Sequence, residues 1–474
     1  MENVLQANKL HQWAPEDTSR ANAIFESALQ LIHGKVIVLD DDPTGVQTVH
    51  GVHVYTHWDQ ASIDDGFSEE SPMFFVLTNS RGLTAKQTEA VHKDIALRVL
   101  ESARKTDKSF TIISRSDSTL RGHFPLETET LRQTLENNSG LRFDGEILCP
   151  FFREGGRFTI NNIHYVQEGE QLTPVAQTEF AKDSTFGYQH SDLGEWCEEK
   201  TNGQYPKESV TYISLETLHA CRADLVTEQL LAVHDFQKVI VNATTYEDVK
   251  VFLTGYLKAV VLGKRFMFRT AAAVPKLLGG ISDRALLERE DFGKRAQAGG
   301  LVIVGSHVQK TTKQLEALIK RFPDLASFKF DVASALIPNG LQKETERIST
   351  LAQRAIESGH TVLVYTSRQL LDIPGSMEDK LKISVAISDA VTDIVSRLSV
   401  RPSFIIAKGG ITSSDIGVKA LRVRRALVMG QIAPGIPVWR TDEGSKFPGM
   451  PYIIFPGNVG KEETLAEMVE KLMV

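Results

Sequence analysis

The chain has 474 residues, with 53 Lys plus Arg against 60 Asp plus Glu and a formal charge of −7. At 42% hydrophobic and 24% charged residues it has the proportions of a folded globular protein, which excludes disorder, collagen and coiled coil. The acidic balance excludes a nucleic-acid footprint, since the one basic run, Arg422, Arg424 and Arg425, is too short to follow a phosphate backbone.

Residues 1–22 are polar and mixed in charge, without a secretion signal, and residues 1–34 read as a helical extension packed on the first domain. Short β-branched runs then alternate with longer amphipathic stretches. That rhythm predicts an α/β fold of two domains, each built around a mainly parallel or mixed sheet flanked by helices. In the first domain, 35–280, strands are predicted over 36–39, 52–55, 74–77, 110–113, 146–148, 210–213 and 239–241, with helices over 85–101, 125–136 and 215–233. The stretch 276–300, rich in Gly and charge, reads as a surface connection. In the second domain, 300–474, strands are predicted over 301–304, 361–364, 404–407, 437–439 and 452–455, followed by a helix from about 462 to 472. No apolar run reaches the ~18 residues of a membrane helix, so no membrane partner is expected. The three cysteines, Cys149, Cys197 and Cys221, lack disulfide or zinc spacing, which fits a cytoplasmic location.

Four polar turns follow predicted strands in the first domain, at the end of the strand where open α/β sheets bind ligands. The first is Asp40-Asp41-Asp42-Pro43-Thr44-Gly45, whose carboxylates repel one another unless a metal, water or donor-rich ligand compensates. A capped Asp turn is the plainer reading. Next comes Thr78-Asn79-Ser80-Arg81-Gly82, where Arg81 presents a fork suited to carboxylate or phosphate, or a rim ion pair. In Ser114-Arg115-Ser116-Asp117-Ser118-Thr119-Leu120-Arg121-Gly122, two arginines, an aspartate and four hydroxyls crowd one turn. Helix capping by Ser118 or Thr119 leaves the arginines unexplained. The Gly-Arg stretch 151–159 reads as a lid or a hairpin.

The second domain has three Gly turns at strand ends: Val304-Gly305-Ser306-His307, Ala407-Lys408-Gly409-Gly410-Ile411-Thr412 and Phe455-Pro456-Gly457-Asn458-Val459-Gly460. Glycines there let backbone N–H groups approach phosphate oxygens. Neither a P-loop nor a dinucleotide fingerprint is present. Three such turns in one domain favour a nucleotide cradle formed by Ser306, Gly409, Gly410, Ile411, Thr412, Gly457 and Gly460.

In this order the motifs resemble the four-carbon acid sugar kinase family, which phosphorylates threonate, erythronate or 3-oxo-tetronate with ATP. The resemblance is carried by Asp41, Asp42, Thr44 and Gly45, by Ser80-Arg81, and above all by Asp117-Ser118-Thr119-Leu120-Arg121-Gly122. It continues through Gly156-Arg157, Gly305-Ser306, Gly409-Gly410-Ile411-Thr412 and the turn Gly457 to Gly460. The chain departs from the family pattern at Ser114-Arg115, at Ile411 and at Pro43.

The resemblance implies a sugar acid bound by the first domain and ATP with Mg²⁺ bound by the second, with Mg²⁺ riding on the phosphates and no dedicated protein metal site. It implies Asp41 or Asp42 as the catalytic base, and Arg81, Arg115, Asp117, Ser118, Thr119 and Arg121 as substrate ligands, Arg81 and Arg121 gripping the carboxylate. A small-molecule sugar acid is the expected partner, with self-association into a homo-oligomer left open. Two other readings stand beside it. Asp40-x-Asp42-x-Thr44 after a strand also fits a haloacid-dehalogenase-like phosphatase with Asp40 as nucleophile, although the later acidic pair such enzymes need is missing where expected. A non-enzymatic sugar-acid-binding module would use the same arginines without a Gly-rich second domain.

Overall fold

The structure is a computed structural model that describes residues 3–15, 17–293, 297–306, 308–368 and 377–473. The chain forms two compact α/β units: Met1–Thr48 with His57–Ser282, and Val49–Thr56 with Asp283–Val474.

In the first unit seven parallel strands lie in the order Thr211–Ile213, Gln237–Val241, Gly145–Cys149, Phe266–Thr270, Phe110–Arg115, Lys35–Asp40, Met73–Leu77. Four of them, Lys35–Asp40, Met73–Leu77, Gly145–Cys149 and Phe266–Thr270, are buried at every residue, as in parallel sheets covered on both faces. Two of the longer helices start on capping boxes. Thr84 and Gln87 form a capping box for Ala85–Thr106, and Thr245 and Asp248 form one for Tyr246–Val261. A four-stranded antiparallel sheet stands apart, in the order Leu5–Gln6, Gln171–Pro174, Ile163–Glu168, Arg157–Ile160.

In the second unit the parallel strands run Pro451–Phe455, Ile405–Lys408, Leu301–Val304, Val362–Thr366, Ala326–Phe330. Antiparallel strands Ile436–Thr441, Arg425–Ala433 and His53–Tyr55 extend the sheet beyond Pro451–Phe455. Val302, Val304, Ile406, Ile453 and Phe455 form its core with Leu315 and Leu318 from the helix Gln309–Arg321 and Leu465 and Val469 from Thr464–Met473.

Several expectations need correction. The strand predicted at 52–55 does not belong to the first domain, because His53–Tyr55 pairs with Arg425–Ala433 of the second unit. The extension 1–34 is only partly helical: Leu5–Gln6 joins the small sheet, and the helix Thr18–Leu29 packs on Tyr246–Val261. The stretch 276–300 is not a bare surface connection, since Lys276 and Leu287 are buried and Leu287 sits in the second core. The helix expected over 215–233 is two, Leu215–His219 and Ala223–Ala232, broken where Cys221 adopts a left-handed φ of 51°. All three cysteines are free and buried. Among the described residues no helix is long and apolar enough to cross a membrane.

One buried ion pair ties two central strands. The register sets Lys238 opposite Glu146, and their charged ends meet at 2.6 Å with neither side chain exposed. Lys238 Nζ also lies 3.9 Å from the Tyr205 ring centroid and 4.2 Å from that of Phe236. Lys238→Met strands a buried carboxylate and should lower the unfolding free energy of this unit by about 3–5 kcal/mol, whereas Lys238→Met with Glu146→Leu should recover most of the loss. Urea unfolding checks this; an unchanged midpoint for the single variant contradicts it.

Candidate functional site

The Asp run, Ser80-Arg81 and the turn after Arg115 leave the carboxyl ends of three adjacent strands, Met73–Leu77, Lys35–Asp40 and Phe110–Arg115, and so come together. Arg115 Nη1 lies 3.1 Å from Asp40 Oδ1, 3.3 Å from Asp41 Oδ1 and 3.5 Å from Asp42 Oδ1. Arg81 pairs with Asp42 and reaches Asp117 Oδ1 at 3.4 Å. Asp117 Oδ2 accepts from Arg121 Nε at 2.8 Å and from the Thr119 hydroxyl, and the Asp117 N–H donates to Asp41 Oδ2 at 3.1 Å. Carboxylates and guanidiniums therefore alternate through the site. Sequence reasoning expected Arg115 among the substrate ligands, but its side chain is 5% exposed and faces the three aspartates.

Burial pushes the Asp40 carboxyl up to about 7 against the pull of Arg115. Asp41 is likewise raised by burial, opposed by Arg81 and Arg115. Asp117 is the contrary case: burial raises it, but Arg121 and Arg81 together with its hydrogen bonds hold it well below the usual carboxylate range. Gly45 is dictated by close approach, because a Cβ there would stand 2.1 Å from both Asp40 carboxylate oxygens.

Residues that no motif reading singled out support this turn from behind. Arg269 Nη1 donates to Ser116 Oγ at 2.9 Å and Nη2 to the Arg121 carbonyl at 3.0 Å, and Glu127 lies 3.6 Å from Arg269. Glu127 also accepts from Ser80 Oγ at 2.6 Å. The Tyr188 hydroxyl donates to the Thr119 carbonyl at 2.7 Å. His164 Nε2 lies 2.8 Å from the Ser118 carbonyl and Nδ1 3.0 Å from Thr159 Oγ1. A carbonyl only accepts, so Nε2 carries the proton and Nδ1 accepts from Thr159. Neither Ser118 nor Thr119 caps the next helix, which begins at Leu126 after Pro125.

The three Gly turns of the second unit also emerge side by side, since Ile405–Lys408 lies between Leu301–Val304 and Pro451–Phe455. His307 lies outside the described residues. The Gly409 N–H donates to the Phe455 carbonyl at 2.8 Å, and Gly409 has a φ of 125°, which side-chain-bearing residues rarely adopt. The Thr311 hydroxyl reaches Ser306 Oγ at 3.3 Å and the Gly457 carbonyl at 3.2 Å. Lys408 Nζ donates to the Pro456 carbonyl at 2.6 Å and the Gly457 carbonyl at 3.2 Å, and burial, with Lys310 nearby, pulls its pKa down to about 7. Ile411 is 72% exposed, Thr412 is buried, and Gly460, with a φ of 85°, lies against Thr464. Two features suit a phosphate-bearing ligand. The space where a Gly410 Cβ would stand is open to 4 Å, and Arg368, whose Nη1 donates to the Ser306 carbonyl, keeps its buried Nε and Nη2 without acceptors.

Asp40, Asp41 and Asp42 each offer an oxygen, all within 4.8 Å of one another. These oxygens face Arg115 and Arg81, which already neutralise them, so the triad does not fit a resident divalent cation.

Fold and sites define a two-domain α/β protein with a charged pocket at one set of strand ends and a glycine cradle at another. Residues 36–278 match the family profile of a sugar-binding N-terminal domain, and residues 301–465 that of a nucleotide-binding C-terminal domain. The chain belongs to the family these profiles define, in which a sugar-binding N-terminal domain precedes a nucleotide-binding C-terminal domain. Two solved structures share the fold. The Haemophilus influenzae protein HI1011 aligns with a TM-score of 0.59 at 17% identity, over 92% of this chain and 100% of its own. A candidate tRNA synthase of Salmonella typhimurium LT2 aligns with a TM-score of 0.64 at 16% identity, over 91% of this chain and 98% of its own. No curated protein matches the chain significantly.

His164 supplies a pH test of the architecture. Burial lowers its pKa from 6.5 to about 4, so the unfolded chain binds the extra proton between those values while the folded chain does not. The stabilisation is complete above about 6.5 and is lost as pH falls toward 4, by up to ~3 kcal/mol. His164→Gln should flatten the fall in stability across that window, measured by denaturant melts at a series of pH values; an unaltered slope contradicts it.

Proposed function

We propose that this protein is an ATP-dependent kinase that phosphorylates the terminal hydroxyl of a four-carbon acid sugar. The observation that carries the reading is the alternating array of Asp41, Asp42, Arg81, Asp117 and Arg121 at adjacent strand ends of the sugar-binding domain. Asp117, Ser118 and Thr119 bind the sugar hydroxyls. Asp42, with 15% of its side chain exposed against 1% and 2% for Asp40 and Asp41, accepts the proton of the hydroxyl that is phosphorylated. Arg81 and Arg121 orient the carboxylates that do this work, and Arg115 neutralises the Asp run from beneath.

Bound ATP supplies the phosphoryl group, with Mg²⁺ as counter-ion of its phosphates. Ser306, Gly410, Thr412, Gly457 and Gly460 hold those phosphates through backbone N–H groups and hydroxyls, Gly409 shapes the turn with its N–H on the Phe455 carbonyl, and the exposed Ile411 borders the open face beside them. The phosphatase reading is weaker because Asp40, its nucleophile, is sealed between Arg115 and Gly45 and has no open face for a phosphate monoester.

ADP release with a panel of threonate, erythronate and 3-oxo-tetronate tests the proposal. Asp42→Asn should lower kcat by ~10² or more, while Asp40→Asn retains measurable ATP-dependent turnover. A stable phosphoaspartate at Asp40, or hydrolysis of phosphate monoesters without ATP, would overturn the kinase reading.

The second domain makes a separate prediction. Thr412→Asp places a negative charge against the phosphates, so calorimetry on the full chain should lose ATP binding and keep sugar-acid binding. Undiminished ATP affinity would remove the 409–412 turn from the nucleotide site.

A further inference from the structure

The ion-pair lattice of the first unit leaves one arginine out. Arg81 is held by Asp42 and Asp117, Arg115 by Asp40, Asp41 and Asp42, Arg121 by Asp117, and Arg269 by Glu127 and Ser116. Arg157, at the start of the hairpin strand Arg157–Ile160, has no carboxylate partner among the described residues. Its Nη1 donates to the Gly155 carbonyl, and its Nε, sealed from water, has no acceptor. A guanidinium taken from water without a counter-ion is costly.

Its surroundings are those of the sugar site. The Arg157 guanidinium carbon lies 5.7 Å from the centroid of the Phe180 ring, and that of Arg121 lies 4.9 Å from the same centroid. Two cations thus lie against one aromatic ring, and of the two only Arg121 has a close counter-ion, Asp117 at 2.8 Å. Burial and Arg121 both disfavour the charged form of Arg157, and the more distant charges of Asp117 and Glu168 offset this only in part. The backbone is fixed, since Arg157 exchanges both hydrogen bonds with Phe152, at 3.1 and 2.9 Å. The strand that carries the guanidinium is therefore held in place, with no carboxylate paired to it among the described residues.

We propose that Arg157 receives the carboxylate of the acid sugar and so selects acids over neutral polyols, in place of Arg81 and Arg121, whose charges are already matched within the lattice. The inference rests on the acid-sugar reading above. A carboxylate at Arg157 completes the charge balance around Phe180 and leaves Asp117, Ser118 and Thr119 free for hydroxyls.

The test is calorimetric binding to the full chain of threonate, erythronate and 3-oxo-tetronate, with threitol and erythritol as the neutral counterparts. Arg157→Gln should weaken binding of the preferred acid by roughly 10- to 100-fold, the range of a lost charge-assisted hydrogen-bonded pair. It should leave polyol and ATP binding unchanged, so the preference for acid over polyol collapses. Arg157→Lys should restore part of the affinity, since the charge returns without the fork, and it gives a second reading where the Gln variant melts early. Acid affinity within twofold of wild type in Arg157→Gln, or equal losses for acid and polyol in either variant, overturns the role of Arg157. If the wild-type chain binds none of the acids, the acid-sugar reading itself fails, and this inference with it.

Discussion

The structure of the first unit turns on one guanidinium. Arg115 ends a buried parallel strand with its side chain only 5% exposed, and its Nη1 faces three consecutive aspartates. Without that charge, three carboxylates at the end of the neighbouring strand would repel one another where little water can screen them. With it, Asp40 stays anchored beneath the site while Asp41 and Asp42 are turned toward Asp117 and Arg81. The lattice then propagates outward, each carboxylate meeting a guanidinium and each guanidinium a carboxylate, until it reaches Phe180. Such mutual pairing pre-organises the polar groups, so little reorganisation is needed when a ligand arrives.

The parts of this arrangement legible in the sequence are those written in short turns. An Asp run after an apolar strand, and two arginines among hydroxyls after another, stand out because no core position needs them. Their convergence follows from parallel strands whose carboxyl ends share one edge. The supporting residues were not legible. Phe266–Thr270 is a central strand, yet Arg269 interrupts its apolar run, and only the fold reveals that this arginine is buried against Glu127, Ser116 and the Arg121 carbonyl. His164 lies in a hairpin 46 residues from the Ser118 carbonyl it holds, and nothing local to either residue announces the pairing. The strand His53–Tyr55 was legible as a strand but not as a partner of Arg425–Ala433, because β-branched runs give the local conformation and say nothing of which sheet receives them.

The two units meet the problem of holding polar ligands by different physical means. The first uses side-chain charge, with carboxylates and guanidiniums paired at adjacent strand ends. The second uses backbone: turns at three neighbouring strand ends, hydrogen-bonded to one another through the Gly409 N–H, the Thr311 hydroxyl and the Lys408 ammonium. Lys408 shows the cost of that design. Its Nζ is held by two carbonyls and lies 3.6 Å from the Phe455 ring centroid, and burial makes its charge expensive, but the ammonium keeps the 456–457 turn in register with the 409–412 turn.

This difference sets what each site tolerates. In the charged lattice, removing one group leaves its partners buried and uncompensated, so even an isosteric exchange such as aspartate for asparagine disturbs several neighbours at once. In the glycine cradle, volume decides. A Cβ at Gly305 would meet the Thr412 hydroxyl at 2.3 Å, and one at Gly409 would meet the Ser306 Cβ at 3.1 Å, so a methyl group there pushes apart the turns that present the N–H groups. Gly45 joins the two regimes, being a glycine whose missing side chain makes room for a carboxylate. The charged site thus depends on backbone shape at the point where the Asp run turns back on its own strand.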